Sequence, residues 1–239
     1  MLKKIALVLV GLTALLAGLS AVYYRIDGVP LTETREYMQG DGYRVETGKD
    51  GSLVFRPAAG NGRGLLIMHG AVIKPQSYAR SAAFFANEGY TVYLPFGPGR
   101  MSIAAVDAAA TRIPELELQD WYAIGHSMGG MASLQLVRKL PDRFSAVALW
   151  AAAMPEDFSD LGLPILFLWG DDDGLLGPER YAATRTRLPE STVFETVKGA
   201  NHREFAMYSH QILDGEGSLG WAAQIDLANQ RTLDFFNSK

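Results

Sequence analysis

The chain has no cysteine among its 239 residues. Disulfides, thiolate metal sites and a Cys nucleophile are thereby excluded, and the redox compartment is left open. Histidine is scarce, with four copies, so any general base comes from a short list. Positive charge is not in surplus. The 22 Lys and Arg against 26 Asp and Glu give a net charge of −4, and the basic residues are scattered. That argues against a phosphate-backbone partner, so no nucleic-acid binding is expected. No internal repeat and no low-complexity linker interrupts the chain. What remains is ordinary for one globular domain, at 48% hydrophobic and 20% charged. The length suffices for a sizeable core.

The one long uncharged run lies at the amino terminus. Lys3 and Lys4 precede a stretch without charge from Ile5 to Tyr24. At about 1.5 Å per residue a helix of that length spans about 30 Å, the thickness of a bilayer core. Tyr23 and Tyr24 fall where an aromatic belt would lie, and Arg25 follows. The pattern predicts a hydrophobic helix that binds a membrane through residues 5–24. The lysines would stay in the cytoplasm and the rest would be periplasmic or extracellular. A cleaved signal peptide, followed by secretion, is the competing expectation, with Gly18-Leu-Ser20 as its site. Residues 1–26 are thus set apart from a domain over 27–239.

Apolar runs and turn residues divide that domain. Tyr43–Glu46 and Leu53–Arg56 read as two strands around the Gly48-Lys-Asp-Gly51 turn, a hairpin signal. Further strands are expected at Leu65–Met68, Thr91–Phe96, Trp121–Ile124, Ser145–Ala152, Pro164–Gly170 and Thr192–Val197. Helices are expected over Ser77–Asn87, over Ser102–Ile113 with Pro114 as its stop, and from Ser127 to about Leu140. Two more are expected over Pro178–Leu188 and Trp221–Phe236. Strands that alternate with helices predict an α/β fold, a mostly parallel sheet with helices on both faces. Chemistry in such sheets gathers at the carboxyl ends of the strands.

The organising stretch is Gly125-His126-Ser127-Met128-Gly129, a G-x-S-x-G turn between a strand and a helix. A hydroxyl nucleophile must stand clear of the sheet, so its residue takes a strained conformation. Glycines two positions before and after would remove side chains that otherwise collide. The following helix aims its first N–H groups at the place where negative charge develops. Such a serine needs a base, and the base needs an orienting carboxylate. His126 flanks Ser127 and should point away. His69 ends a strand and reads as a structural hydrogen bonder, and His210 lies in a polar segment. His202, in a loop after the last strand, is the expected base, following the order Ser, acid, His. The acid lies in Asp171-Asp172-Asp173, and the run itself does not say which one acts.

The Gly-His-Ser-Met-Gly-Gly stretch, an acid at a strand end and Asn-His in a late loop resemble the α/β-hydrolase superfamily. A narrower likeness lies in Asn201-His202-x-x-Phe205-x-x-Tyr208-x-x-Gln211-x-x-Asp214, which looks like a run found in compact bacterial α/β-hydrolases. Their members often carry an amino-terminal hydrophobic segment too. The resemblance covers about residues 43 to 238. It implies the α/β-hydrolase fold and places the acid in a Gly-x-x-Asp-Gly pattern, which Gly170-Asp-Asp-Asp173-Gly174 fits. Asp173 is then the acid and Asp172 the second choice. It maps the oxyanion donors to the N–H groups of Met128 and Ala71. Tyr208 and Gln211 are expected to support the loop of His202, with substrate contact as the alternative. Only residues 154–163 separate two successive strands where many relatives insert a lid, so no cap domain and an open site are expected.

The function implied by the resemblance is a serine hydrolase acting on carboxylic esters through an acyl-enzyme. A thioesterase, lactonase or acyltransferase would use the same parts. A membrane-tethered, non-catalytic binding module is the alternative from another class. The partner expected is a small ester or acyl molecule, with no cofactor and no metal; oligomeric state is not legible.

Overall fold

In the computed structural model, residues 9–15, 18, 22 and 24–239 are described. Half of the anchor expected over 5–24 falls outside them, Tyr23 included, as do Lys3 and Lys4. Among the described residues no helix is long and apolar enough to cross a membrane.

Eight strands form one sheet. They are β1 (Tyr43–Thr47), β2 (Leu53–Pro57), β3 (Arg63–Met68), β4 (Thr91–Leu94), β5 (Asp120–His126), β6 (Phe144–Trp150), β7 (Ile165–Gly170) and β8 (Val193–Val197). Their spatial order is β1-β2-β4-β3-β5-β6-β7-β8. The first hairpin joins antiparallel, through β2 on β4, and the rest of the sheet is parallel. The mostly parallel sheet expected from the alternation is therefore present. What alternation could not show is that the hairpin adds outside β4, not beside its sequence neighbour β3.

Helices cover both faces. On one side α1 (Ala79–Asn87) and α5 (Trp221–Asn237) lie over Phe55, Leu65, Ile67, Tyr122, Ile124 and Trp150. On the other, α2 (Val106–Glu115) and α3 (Met128–Lys139) cover Val54, Leu66, Met68, Trp121, Ala123 and Leu149. Consecutive residues of β3 and β5 thus face opposite cores, which is why these strands read as unbroken apolar runs. The short α4 (Pro178–Arg185) stacks Tyr181 on Trp169, with ring centroids 4.3 Å apart. The segment between β6 and β7 holds no helix or strand, so no cap domain is inserted there.

Several element ends differ from expectation. β4 stops at Leu94, before Phe96, and β6 stops at Trp150, before Ala152, because Ala151 turns to a positive φ of 48°. Pro114 does not stop α2. It sits in the last turn, where the missing N–H costs one hydrogen bond, and Glu117 at φ 58° ends the run. α4 ends at Arg185, before Leu188, and Arg187 then offers its carbonyl to the Phe158 N–H at 2.8 Å.

The segment from Asp27 onward is tied to residues 207–210. Gly28 N–H donates to the His210 carbonyl, Ser209 N–H to Val29 and Leu31 N–H to Met207, at 2.8–3.2 Å. Asp27 is buried and bonds the His210 imidazole at 3.0 Å. This strap fixes the stretch just after the loop of His202.

α5 closes the molecule through Phe236. Its ring is fully buried and lies 4.8 Å from the ring of Tyr122 and 6.4 Å from Phe85. Phe236→Ala is expected to lower the unfolding free energy by about 3–5 kcal/mol, read from urea titrations at constant slope. A loss under about 1 kcal/mol would show that α5 does not dock as described.

Candidate active site

β5 ends at His126 and α3 begins at Met128, so Ser127 alone makes the turn. Its backbone sits at φ 53°, ψ −122°, a conformation that costs a non-glycine residue on the order of 1–3 kcal/mol. The flanking glycines permit it, though not by sparing each other's side chains as expected. A Cβ on Gly125 would lie 2.5 Å from the Gly129 oxygen and the Gly130 Cα, in the backbone of α3. A Cβ on Gly129 would lie 2.0 Å from the Met68 oxygen, in the backbone of β3. Each glycine therefore allows a helix to seat on a strand.

The parallel strands bring three distant segments to one rim. His202 Nε2 lies 2.9 Å from Ser127 Oγ. On the other side of the ring, Nδ1 lies 2.9 Å from Asp173 Oδ2. Asp173 keeps its second oxygen occupied, since Oδ1 accepts the N–H groups of Leu175 at 2.8 Å and Leu176 at 2.6 Å. Its side chain is fully buried, while Ser127 is partly open to solvent. The neighbouring acids have other work. Asp171 accepts the Gly199 N–H at 2.6 Å, and Asp172 is exposed, 3.4 Å from Ser218 Oγ.

The remaining histidines take the places expected of them. His69 bonds the Gly70 carbonyl through Nδ1 at 2.8 Å and accepts the Gly97 N–H on Nε2 at 3.3 Å. Burial pushes its pKa down to about 4. His210 is exposed and pairs with Asp27. His126 points away from the nucleophile side of the turn, but it is not idle. Its Nε2–H donates to the His202 carbonyl at 3.0 Å, and its Nδ1 accepts from Tyr78 Oη at 2.7 Å. Tyr78 Oη in turn accepts the Gly70 N–H at 2.9 Å. All four residues in this line are buried. Burial, and after it the nearby His202 ring, hold the His126 pKa well below its ordinary value.

Of the loop after β3, Gly70 and Val72 have committed their N–H groups, to Tyr78 and to the Arg100 carbonyl at 2.7 Å. Ala71 between them lines the cavity, and no hydrogen bond is made by its N–H among the described residues. Val72 is held at φ 66°, strained for a β-branched residue, and Arg100 Nη1 clamps its carbonyl at 3.4 Å. Met128, the first residue of α3, lines the same cavity of about 430 Å³, together with Ser127 and His202.

Tyr208 and Gln211 hold each other just after the His202 loop. Tyr208 is buried and donates to Gln211 Oε1 at 3.2 Å. Neither lines the cavity. The brace of that loop is Asp214, which the spacing placed in the run without a role. Its carboxylate accepts the N–H groups of His202 at 3.3 Å, Arg203 at 2.7 Å and Gly174 at 3.1 Å. One side chain thus ties the loop of His202 to the loop of Asp173. Sequence reasoning missed Tyr78 and Arg100, for which no local pattern exists. Among the described residues no cluster of three or more His, Asp or Glu is arranged to hold a metal ion.

A sequence profile described as "Alpha/beta hydrolase family" matches residues 64–226. Among solved structures, a predicted CIB-like hydrolase from Thermoplasma acidophilum superposes with a TM-score of 0.63 at 16% identity, over 84% of this chain and 100% of that one. A carboxylesterase from Bacillus subtilis gives 0.60 at 11% identity, over 87% and 95%. Naproxen esterase from Bacillus subtilis gives 0.59 at 14% identity, over 90% and 97%. At these identities the likeness to the solved structures is one of fold.

The buried imidazoles of His69 and His126 make stability depend on pH. Both are neutral in the fold, whereas the unfolded chain protonates below about 6.5. Stability is therefore full above about pH 6.5 and is lost as pH falls toward about 4. The loss from His69 alone is on the order of 3 kcal/mol. Unfolding titrations at pH 7 and pH 4.5, with NMR of the ring protons, check this. A native-state titration of His69 or His126 centred near 6.5 would overturn it.

Proposed function

The chain belongs to the alpha/beta hydrolase family, and from that premise we propose that it is a serine hydrolase acting on carboxylic esters through an acyl-enzyme. The observation that carries this reading is the hydrogen-bonded row Ser127 Oγ, His202 and Asp173, with both links at 2.9 Å. Ser127 Oγ attacks the acyl carbon while His202 Nε2 takes its proton. Asp173 holds the imidazole with its own proton on Nδ1 and stabilises the imidazolium. The oxyanion that forms is bound by the N–H groups of Met128 and Ala71. His202 then returns the proton to the departing alkoxide. A water, deprotonated by His202, attacks the acyl-enzyme, the acid leaves and Ser127 regains its proton. Net, one ester and one water give one acid and one alcohol. The esterases among the structural neighbours agree with this substrate class.

The residues can be told apart by rate. Ser127→Ala is expected to lower kcat/KM on a short p-nitrophenyl ester by about four to six orders of magnitude. Asp173→Asn should cost about 10⁴-fold by favouring the wrong tautomer, whereas Asp172→Asn should stay within about threefold. A fluorophosphonate probe should label Ser127 in the intact chain. A folded protein that neither turns over esters nor takes the label would be a binding module on a hydrolase scaffold.

Residues 1–26 carry a separate proposal, a membrane tether that keeps the domain outside the cytoplasm. It is supported by Lys3, Lys4 and the uncharged run that follows. The full chain is expected in the membrane fraction, and a form lacking 1–26 in the soluble one. Full-length mass in the soluble fraction would overturn the tether.

A further inference from the structure

The cavity beside Ser127 has a mainly apolar lining that includes Met131, Met154 and Leu176, and no acidic side chain lines it. Two arginines do, Arg180 and Arg187. Both are held by backbone carbonyls. Arg180 Nη1 donates to Leu175 at 3.0 Å, on the strip that also supplies N–H groups to Asp173. Arg187 Nη1 donates to Met154 at 2.6 Å, on the strip that follows β6. A carbonyl orients a guanidinium but does not cancel its charge. Among the described residues neither Arg180 nor Arg187 belongs to an ion pair. Asp157 feels the field of Arg187, but it is exposed and bonded to Ser159 at 2.9 Å. In a protein of net charge −4, the cavity lining therefore holds two oriented cations and, among the described residues, no acidic side chain.

We propose that the preferred substrate is an ester carrying an anionic group, which Arg180 and Arg187 bind while the ester carbonyl lies at Ser127. The proposal rests on the serine-hydrolase reading and names its substrate class. Each guanidinium has spent one N–H on a carbonyl and keeps the others, and this fork suits a carboxylate or a phosphate. A cavity of about 430 Å³ has room for a short acyl chain and its charged end. The covalent chemistry is unchanged: the acyl–oxygen bond breaks, and water supplies the hydroxyl of the acid.

The test compares two esters with one leaving group, p-nitrophenyl butyrate and the mono-p-nitrophenyl ester of glutaric acid. Each kcat/KM is first divided by the rate of hydroxide-catalysed hydrolysis. The intact chain is expected to favour the charged ester by about tenfold, and added salt should erode that preference. Arg180→Gln, at an exposed helix position, should lower the ratio of charged to neutral turnover about fivefold. Arg187→Gln should do the same, and Arg180→Gln keeps the test open if loss of the Met154 brace unfolds the second variant. Competition by glutarate and by inorganic phosphate then tells which anion fits better, and inhibition by neither counts against the proposal. Turnover of both esters with no preference, or a ratio unmoved by Arg180→Gln, overturns the anion site and leaves the hydrolase reading standing. No turnover of either ester and no fluorophosphonate label at Ser127 overturns both.

Discussion

One disfavoured backbone conformation governs this molecule. Ser127 must leave β5 and enter α3 within a single residue, and its φ of 53° is the result. The surrounding structure holds it there because the alternatives are worse. Relaxing the turn would lift α3 off β3 and β5, where Gly125 and Gly129 seat it by backbone contact, and would expose core on that face. The strain of one residue is small beside that burial. The turn leaves Ser127 partly open to solvent and puts Met128, the first residue of the helix, on the same cavity.

Parallel strands then do the gathering. β5, β7 and β8 run in one direction, so the loops after them meet at one rim. Hydrogen bonds align these loops. Gly70, Tyr78, His126 and the His202 carbonyl form one buried line, while Asp214 joins the loops of Asp173 and His202 from outside. A buried polar line of this kind is stabilising only when each member has its partner. Desolvation keeps His126 neutral, which leaves its Nδ1 free to accept from Tyr78. The two histidines nearest the site are thus unlike in office. One faces Ser127, and the other holds the first in place.

The cavity walls come from segments with no catalytic pattern. α4 and the turn that follows it carry the cations, and their length and course depend on what they pack against. Arg187 is an example. It reaches Met154 because the helix stops at Arg185 and the chain turns.

The order of strands and helices, the turn at Ser127 and the run around His202 could all be read from the residues, because each is a local pattern. Alternating apolar segments report burial on two faces, and glycines at fixed spacing report backbone contact. The choice among Asp171, Asp172 and Asp173 was different. Adjacent acids look alike along the chain; the family resemblance singled out Asp173, and the folded geometry sets Asp173 against His202 and Asp171 against Gly199. Tyr78, Arg100 and the strap from Asp27 were invisible. Their partners lie far away in sequence, and a hydrogen bond between distant segments leaves no periodicity behind. The sequence by itself determined the elements and the nucleophile turn, because short-range sterics and burial decide those. The tertiary structure alone decided how the carboxylates and imidazoles meet and which side chains wall the cavity, because those contacts exist only after the strands have been set side by side.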